Sequence, residues 1–116
     1  MKLLRYGEKG QEKPGLLDAQ GKIRDLSAHI ADVAGQALDA ASLAALGKID
    51  PSSLPLVSGS PRIGACVGQV GKFICIGLNY ADHAAESGLD VPSEPGGFSK
   101  WTSAIGGPTN NVEIRR

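Results

Sequence analysis

Glycine and proline interrupt this chain so often that only short elements fit between them: 16 glycines and 7 prolines fall within 116 residues. Such punctuation favours turns and loops tied to short strands and helices. A chain of this length has room for one ordinary domain, or for part of a larger one. Hydrophobic residues make up 41% and aromatics only 4%, so a core can form and is mainly aliphatic. The 12 Lys and Arg balance the 12 Asp and Glu. That balance gives no long-range field and speaks against a nucleic-acid or anionic-membrane partner. No apolar run approaches the ~20 residues of a membrane span, and the apolar stretch at the start is too short for a signal peptide. Two cysteines, Cys66 and Cys75, make no disulfide framework. Without an export signal, a reducing cytoplasm is the expected compartment.

Residues 2–6 read as a first short strand and residues 7–13 as a loop. Within residues 14–26, Asp18-Ala19-Gln20-Gly21 has the chemistry of a tight turn. Asp at its first position can bond backbone two residues on, and Gly at its fourth tolerates positive φ. Leu16 and Leu17 before it, with Ile23 and Leu26 after it, predict a hairpin. Residues 28–47 are alanine-rich. One helical turn is expected over 28–34 and a short helix over 40–46, with Asp39 as N-cap and Gly47 as the stop. Residues 50–70 are dense in Pro, Ser and Gly, and read as a connecting segment with an extended piece near 55–57. This is the candidate boundary.

Residues 72–77 carry a continuous apolar run and read as a buried strand. Asn79 follows as an N-cap with Asp82 at N3, an arrangement like a capping box. A helix over 80–87 and a stop at Gly88 complete the unit. Residues 89–97 form a loop, 98–105 an extended segment, and 112–114 open a further strand. The sequence ends there with no turn or cap, which reads as an incomplete domain.

Several motifs invite chemistry. The glycine-rich stretch Gly64-Ala65-Cys66-Val67-Gly68-Gln69-Val70-Gly71-Lys72 fails as a phosphate loop, because Cys66 replaces the first glycine and Phe73 replaces the Ser or Thr after the lysine. It also fails as a dinucleotide fingerprint, because a strand follows it instead of a helix. Turn glycines before a strand explain it. The informative stretch is Gly77-Leu78-Asn79-Tyr80-Ala81-Asp82-His83-Ala84-Ala85-Glu86-Ser87-Gly88. On a helix, His83 and Glu86 share a face. A carboxylate beside an imidazole orients its tautomer and raises its basicity, and such a dyad can take a proton from water or from a carbon next to a carbonyl. The same spacing also fits a solvated helix face with an incidental pair. Lys100 could neutralise a bound carboxylate, or be a surface lysine. His29 reads as a surface or partly packed histidine, and no Cys/His cluster has metal-ligand spacing.

The stretch Ile76-Gly77-Leu78-Asn79-Tyr80-Ala81-Asp82-His83-Ala84-Ala85-Glu86 closely resembles the signature of the fumarylacetoacetate hydrolase family. Phe98-Ser99-Lys100-Trp101-Thr102-Ser103-Ala104-Ile105 is similar to the block that follows it in that family. The opening residues 1–7, Lys13-Pro14-Gly15-Leu16-Leu17-Asp18 and residues 23–27 resemble its bacterial members of the ureidoglycolate lyase and 2-hydroxyhepta-2,4-diene-1,7-dioate isomerase type. The resemblance implies a small N-terminal α/β domain followed by a mainly β catalytic domain, a homodimer, and a Mg²⁺ or Mn²⁺ ion. That ion would hold an oxo-acid substrate and polarise its carbonyl. By position, His83 and Glu86 match the acid–base dyad, Lys100 a lysine near the substrate, and Asn79 and Tyr80 the turn into the dyad helix. The family's metal ligands, a Glu-x-Glu pair and a later Asp, have no counterpart in this chain, so no metal ligand is assigned here. Gly96-Gly97 also departs from the family, whose members usually carry apolar residues there.

The expected fold class is therefore α+β: a small N-terminal α/β domain and linker over residues 1–68, with a hairpin and a short helix, then the start of a mainly β catalytic domain over 69–116. The expected function is that of the N-terminal portion of a metal-dependent hydrolase or lyase acting on C–C or C–N bonds of oxo-acids. The alternative is a non-catalytic dimerisation or interaction module of the same descent. Exposure separates them: a portion of a larger enzyme leaves residues 73–76 and 112–114 uncovered, whereas a self-sufficient module buries them.

Overall fold

The structure is a computed structural model that describes residues 1–112 and 114. It is α+β, with two small antiparallel sheets and short helices. The chain divides into two compact units, Met1–Gln69 joined by the described residues from Gly106 onward, and Val70–Ile105.

The first unit is built on strands β1 (Leu3–Tyr6), β2 (Lys13–Leu17) and β3 (Ile23–Asp25), paired in that order. Leu3 faces Leu16 and Leu17 faces Ile23 across the sheet. The β2–β3 turn forms as its sequence predicts. Gly21 donates to the Asp18 carbonyl at 3.0 Å with φ at 74°, a conformation in which only glycine is unstrained. Asp18 Oδ1 accepts from the Gln20 and Lys22 amides at 3.0 and 2.8 Å, and its Oδ2 accepts from Arg24 Nε at 2.8 Å. These bonds hold the Asp18 carboxyl below the usual carboxylate range, the Lys22 amide contributing most. Gly15 is needed for another reason: a Cβ there would meet the Tyr6 ring at 3.0 Å and the Arg24 carbonyl at 3.1 Å.

Helix α1 (Ala40–Leu46) starts where expected, with Asp39 Oδ1 accepting from the Ser42 amide at 2.6 Å. Its stop differs from expectation. Gly47 keeps right-handed dihedrals (φ −64°), and the Lys48 and Ile49 amides bond back three residues, so the helix tightens before it ends. The helical turn expected over 28–34 is confined to amide bonds from His29 and Ile30 to the Leu26 carbonyl, and a 3-10 turn forms instead at Gly35–Leu38. The core joins Leu16 and Leu26 from the sheet region with Leu46 from α1 and Leu54 from the connecting segment, and Leu3, Ile30 and Ile49 pack around it.

The connecting segment does more than connect. The Asp25 amide donates to the Pro55 carbonyl and the Val57 amide to the Ile23 carbonyl, which covers the outer edge of β3. Further on, the Gly7 amide donates to the Arg62 carbonyl and the Gly64 amide to the Arg5 carbonyl, which covers the outer edge of β1. One segment thus satisfies backbone groups on both edges of the sheet, the places where an unprotected sheet would pair with another chain.

The glycine-rich stretch lies against a charge cluster. Arg5 grips Asp32 with two hydrogen bonds, of 2.7 and 3.1 Å, and reaches Glu12 at 3.5 Å. Arg62 donates to Glu12 at 2.9 Å, to the Gly7 carbonyl at 3.2 Å and to Asn110 at 3.2 Å. A Cβ on Gly68 would run into the Asp32 carboxylate, and one on Gly64 would meet Glu12 Cγ at 2.8 Å. These glycines let backbone pass close over ion pairs. The Arg62 hydrogen bond holds the Glu12 carboxyl below its ordinary value, against the opposing effect of burial. Tyr6, buried in the sheet with its hydroxyl toward Asp25, is pushed up to about 12, mainly by burial.

The second unit consists of β4 (Phe73–Gly77), α2 (Ala81–Glu86) and β5 (Gly96–Lys100), followed by a 3-10 turn at Thr102–Ala104. The extended segment expected over 98–105 therefore ends at Lys100. The expected strand over 112–114 includes Glu113, which lies outside the described residues. β4 and β5 pair antiparallel over five positions, from Phe73 with Lys100 to Gly77 with Gly96. β4 is not the buried strand its sequence predicts: Ile74 and Ile76 are 64% and 51% exposed. A continuous apolar run reports a strand that needs cover on both faces, and the described residues do not supply it. No helix among the described residues is long and apolar enough to cross a membrane.

Candidate active site

The candidate residues follow β4. At its end Leu78 takes a left-handed conformation, with φ at 49°, before the chain enters α2. A leucine held there costs roughly 1–2 kcal/mol relative to the right-handed region. No sequence signal marks this position, because leucine does not favour that conformation. The helix also starts later than expected, at Ala81. Tyr80, not Asn79, is the N-cap residue; it is extended at φ −123° and makes no side-chain cap bond. The expected Asn79–Asp82 capping box is therefore absent. Asp82 instead accepts from the His83 amide at 2.9 Å, and its charge in the first turn suits the helix dipole. The stop is as expected. Gly88, at φ 67°, donates to the Ala85 carbonyl, and the Leu89 amide reaches the Ala84 carbonyl at 3.0 Å, the paired bonds of a Schellman ending.

Between these ends, α2 brings the two dyad residues together. His83 Nδ1 lies 2.7 Å from Glu86 Oε1. In the tautomer whose Nδ1–H donates to the carboxylate, the lone pair of Nε2 faces away from the acid. Ala84, fully buried, fixes the helix by its other side. The dyad side chains are 57% and 73% exposed. In solvent such a pair contributes about 0.2–1 kcal/mol to stability, and water competes with any substrate for its proton.

Asn79 and Tyr80 occupy the link from β4 to α2, as the resemblance implies, and both are exposed. Lys100 is elsewhere. It pairs with Phe73 at the start of β4, whereas α2 departs after Gly77 at the other end. Four residue steps of strand, about 13 Å, separate those ends. Among the described residues no hydrogen bond or ion pair joins Lys100 to His83 or Glu86. Nor, among the described residues, does any group of three or more His, Cys, Asp or Glu side chains offer a cradle for the Mg²⁺ or Mn²⁺ that the resemblance implies.

No family model matches the chain. It is 69% identical over 114 residues to proteins of Burkholderia ambifaria and Burkholderia cenocepacia, and 68% identical to one of Burkholderia multivorans, each bearing the name "Putative hydrolase". The match takes in 98% of this chain and 40% of each relative. The chain therefore spans about two-fifths of the length of these relatives, and its close relatives carry hydrolase names.

Proposed function

We propose that this chain is the front portion of a fumarylacetoacetate hydrolase-like enzyme, a metal-dependent hydrolase or lyase that acts on C–C or C–N bonds of small oxo-acids. The observation that carries the reading is the 2.7 Å contact between His83 Nδ1 and Glu86 Oε1 on a helix that leaves the end of an apolar strand. The signature sequence around it and the hydrolase names of relatives at 69% identity support the same reading. In this proposal Glu86 holds His83 in the tautomer with Nε2 free. Nε2 then takes the proton of a water, or of a carbon beside a carbonyl, a service worth roughly 10²–10⁴ in rate. Asn79 and Tyr80 shape the entry to the dyad, and Lys100 answers the substrate's carboxylate once the rest of the domain is present. In this reading the metal ligands belong to that remainder.

The alternative, a non-catalytic interaction module, draws on the exposed apolar hairpin. A chimera separates the two. This chain replaces the matching segment of the Burkholderia ambifaria relative, and a panel of oxo-acids is assayed with Mg²⁺ or Mn²⁺ supplied. Turnover of at least one oxo-acid is expected. A folded chimera inert on every oxo-acid, beside a relative that turns them over, contradicts the catalytic reading.

A further inference from the structure

The chain leaves the first unit after Gln69 and re-enters it at Gly106, so the second unit is an insertion with two attachments. The two are fastened differently. The outgoing attachment is held by backbone: the Gly64 amide donates to the Arg5 carbonyl at 2.8 Å and the Gly68 amide to the Val33 carbonyl at 2.9 Å. Beside it Arg5 keeps Asp32 by two hydrogen bonds, and Asp32 also accepts from the Val33 amide at 2.8 Å. The returning attachment is a strap, Gly107-Pro108-Thr109-Asn110, folded as a turn in which the Asn110 amide donates to the Gly107 carbonyl at 3.2 Å. Proline at the second position presets such a turn. Gly107 lies so close to the connecting segment that a Cβ there would run into the Ile63 carbonyl. Among the described residues, the hydrogen bond that fastens the strap to the rest of the first unit comes from a side chain, Arg62 Nε donating to Asn110 Oδ1 at 3.2 Å.

Glu12 aims that arginine. Besides Asn110, the Arg62 guanidinium donates to the Gly7 carbonyl at 3.2 Å and to Glu12 Oε1 at 2.9 Å, and Glu12 is its charged partner. A charge-assisted hydrogen bond is roughly twice as strong as a neutral one, so Glu12 decides where the guanidinium lies. Glu12 is itself held: Oε2 accepts from the Gly10 amide at 3.1 Å and lies 3.5 Å from Arg5. The charged groups facing it are thus Arg62 and Arg5, with Asp32 beyond Arg5. We infer that Glu12 is the latch of this strap: its carboxylate holds Arg62 on Asn110 and keeps the insertion closed at its base, and loss of its charge lets the strap lift while the outgoing attachment stays. Arg5 remains fixed by Asp32 when Glu12 is neutral, so the change is confined to Arg62 and the strap. Tied at both ends, the second unit is a closed loop of chain; with the strap lifted it hangs on one linker and regains the freedom that closure removed. The Arg62 hydrogen bond holds the Glu12 carboxyl below its ordinary 4.5, so the latch is shut above about 4.5 and opens as pH falls through the depressed value. The inserted unit carries His83 and Glu86. A bearing of the latch on turnover rests on the proposed function; the latch itself does not.

Backbone ¹⁵N relaxation on the 116-residue chain tests it. At neutral pH the amides of Gly107, Thr109 and Asn110 should show order parameters near the ~0.85 of rigid backbone, and Glu12→Gln should bring them below ~0.6. Exchange of the Asn110 amide should quicken about tenfold or more, while Gly64 and Gly68 keep the values of the natural chain. Acid should loosen the strap of the natural chain and leave that of Glu12→Gln as it is. Because Glu12→Gln also removes a partner of Arg5, Asn110→Ala is the second variant. It leaves Glu12 and Arg62 paired, should free the strap to the same extent, and should add nothing when combined with Glu12→Gln. The inference is overturned by a strap that is already mobile in the natural chain at neutral pH, or by one that stays rigid in either variant. It is equally overturned if Gly64 and Gly68 loosen together with the strap, since Glu12 would then be a general support of the first unit.

Discussion

Gly68 and Glu12 show how single residues hold the first unit. The backbone at Gly68 passes so close to the Asp32 carboxylate that any side chain must displace the Arg5–Asp32 pair. Gly68→Ala is expected to destabilise the unit by about 1–3 kcal/mol, the usual range for overpacking, read as a lower urea midpoint. Glu12 makes a pH prediction. Its folded value lies below the ordinary 4.5 because Arg62 donates to it. The stability it contributes is therefore fully present above about 4.5 and is lost as pH falls through the depressed folded value. Arg62→Ala should flatten that acid limb. It should also cost about 1–3 kcal/mol at neutral pH, because it strips the main partner from a carboxylate only 8% exposed. Urea midpoints measured from about pH 2 to 7 check both. None of this was legible in the sequence. Arg5 and Asp32 are 27 residues apart and Arg62 and Glu12 are 50 apart, and no local pattern reports such pairs. What could be read was local: the Asp18 turn, the Asp39 cap and the failure of the phosphate-loop reading each rest on residues within a few positions of one another.

At the scale of elements, α2 is the piece on which the site depends. It has only six residues, too few to be stable by propensity, so its ends matter. Gly88→Ala forces an L-residue into positive φ at the Schellman ending and is expected to cost about 1–2 kcal/mol. Faster amide exchange at Ser87, Gly88 and Leu89, with the first unit unaffected, is the measurement. The His83–Glu86 contact was legible because residues three apart on a helix share a face. The cap was not, because the helix starts one residue later than expected, after a left-handed Leu78 that no sequence rule places there. Lys100 shows a further limit. Its place at the far end of the hairpin follows from the β4–β5 register, which sets Gly96-Gly97 opposite Ile76 and Gly77. β4 itself was recognised as a strand from its apolar run, but the run cannot say whether its cover lies within the same 116 residues.

One unit covers both edges of its own sheet, and the other, among the described residues, leaves its sheet open. The single tryptophan reports on the second. Trp101 is 85% exposed, so its emission in the chain alone is expected at the wavelength of a solvated indole, with full access to iodide. Protection from iodide in the chain alone would contradict the open hairpin. The functional account turns on His83 and Glu86 acting as one device. The most direct test is a double-mutant cycle in the chimera with the Burkholderia ambifaria relative, using His83→Ala, Glu86→Gln and both together. The account predicts that His83→Ala lowers kcat/KM by about 10²–10⁴, that Glu86→Gln lowers it less, and that the double variant is no worse than His83→Ala, since Glu86 acts only through the imidazole. Unchanged turnover in His83→Ala, or losses that simply add in the double variant, would contradict it.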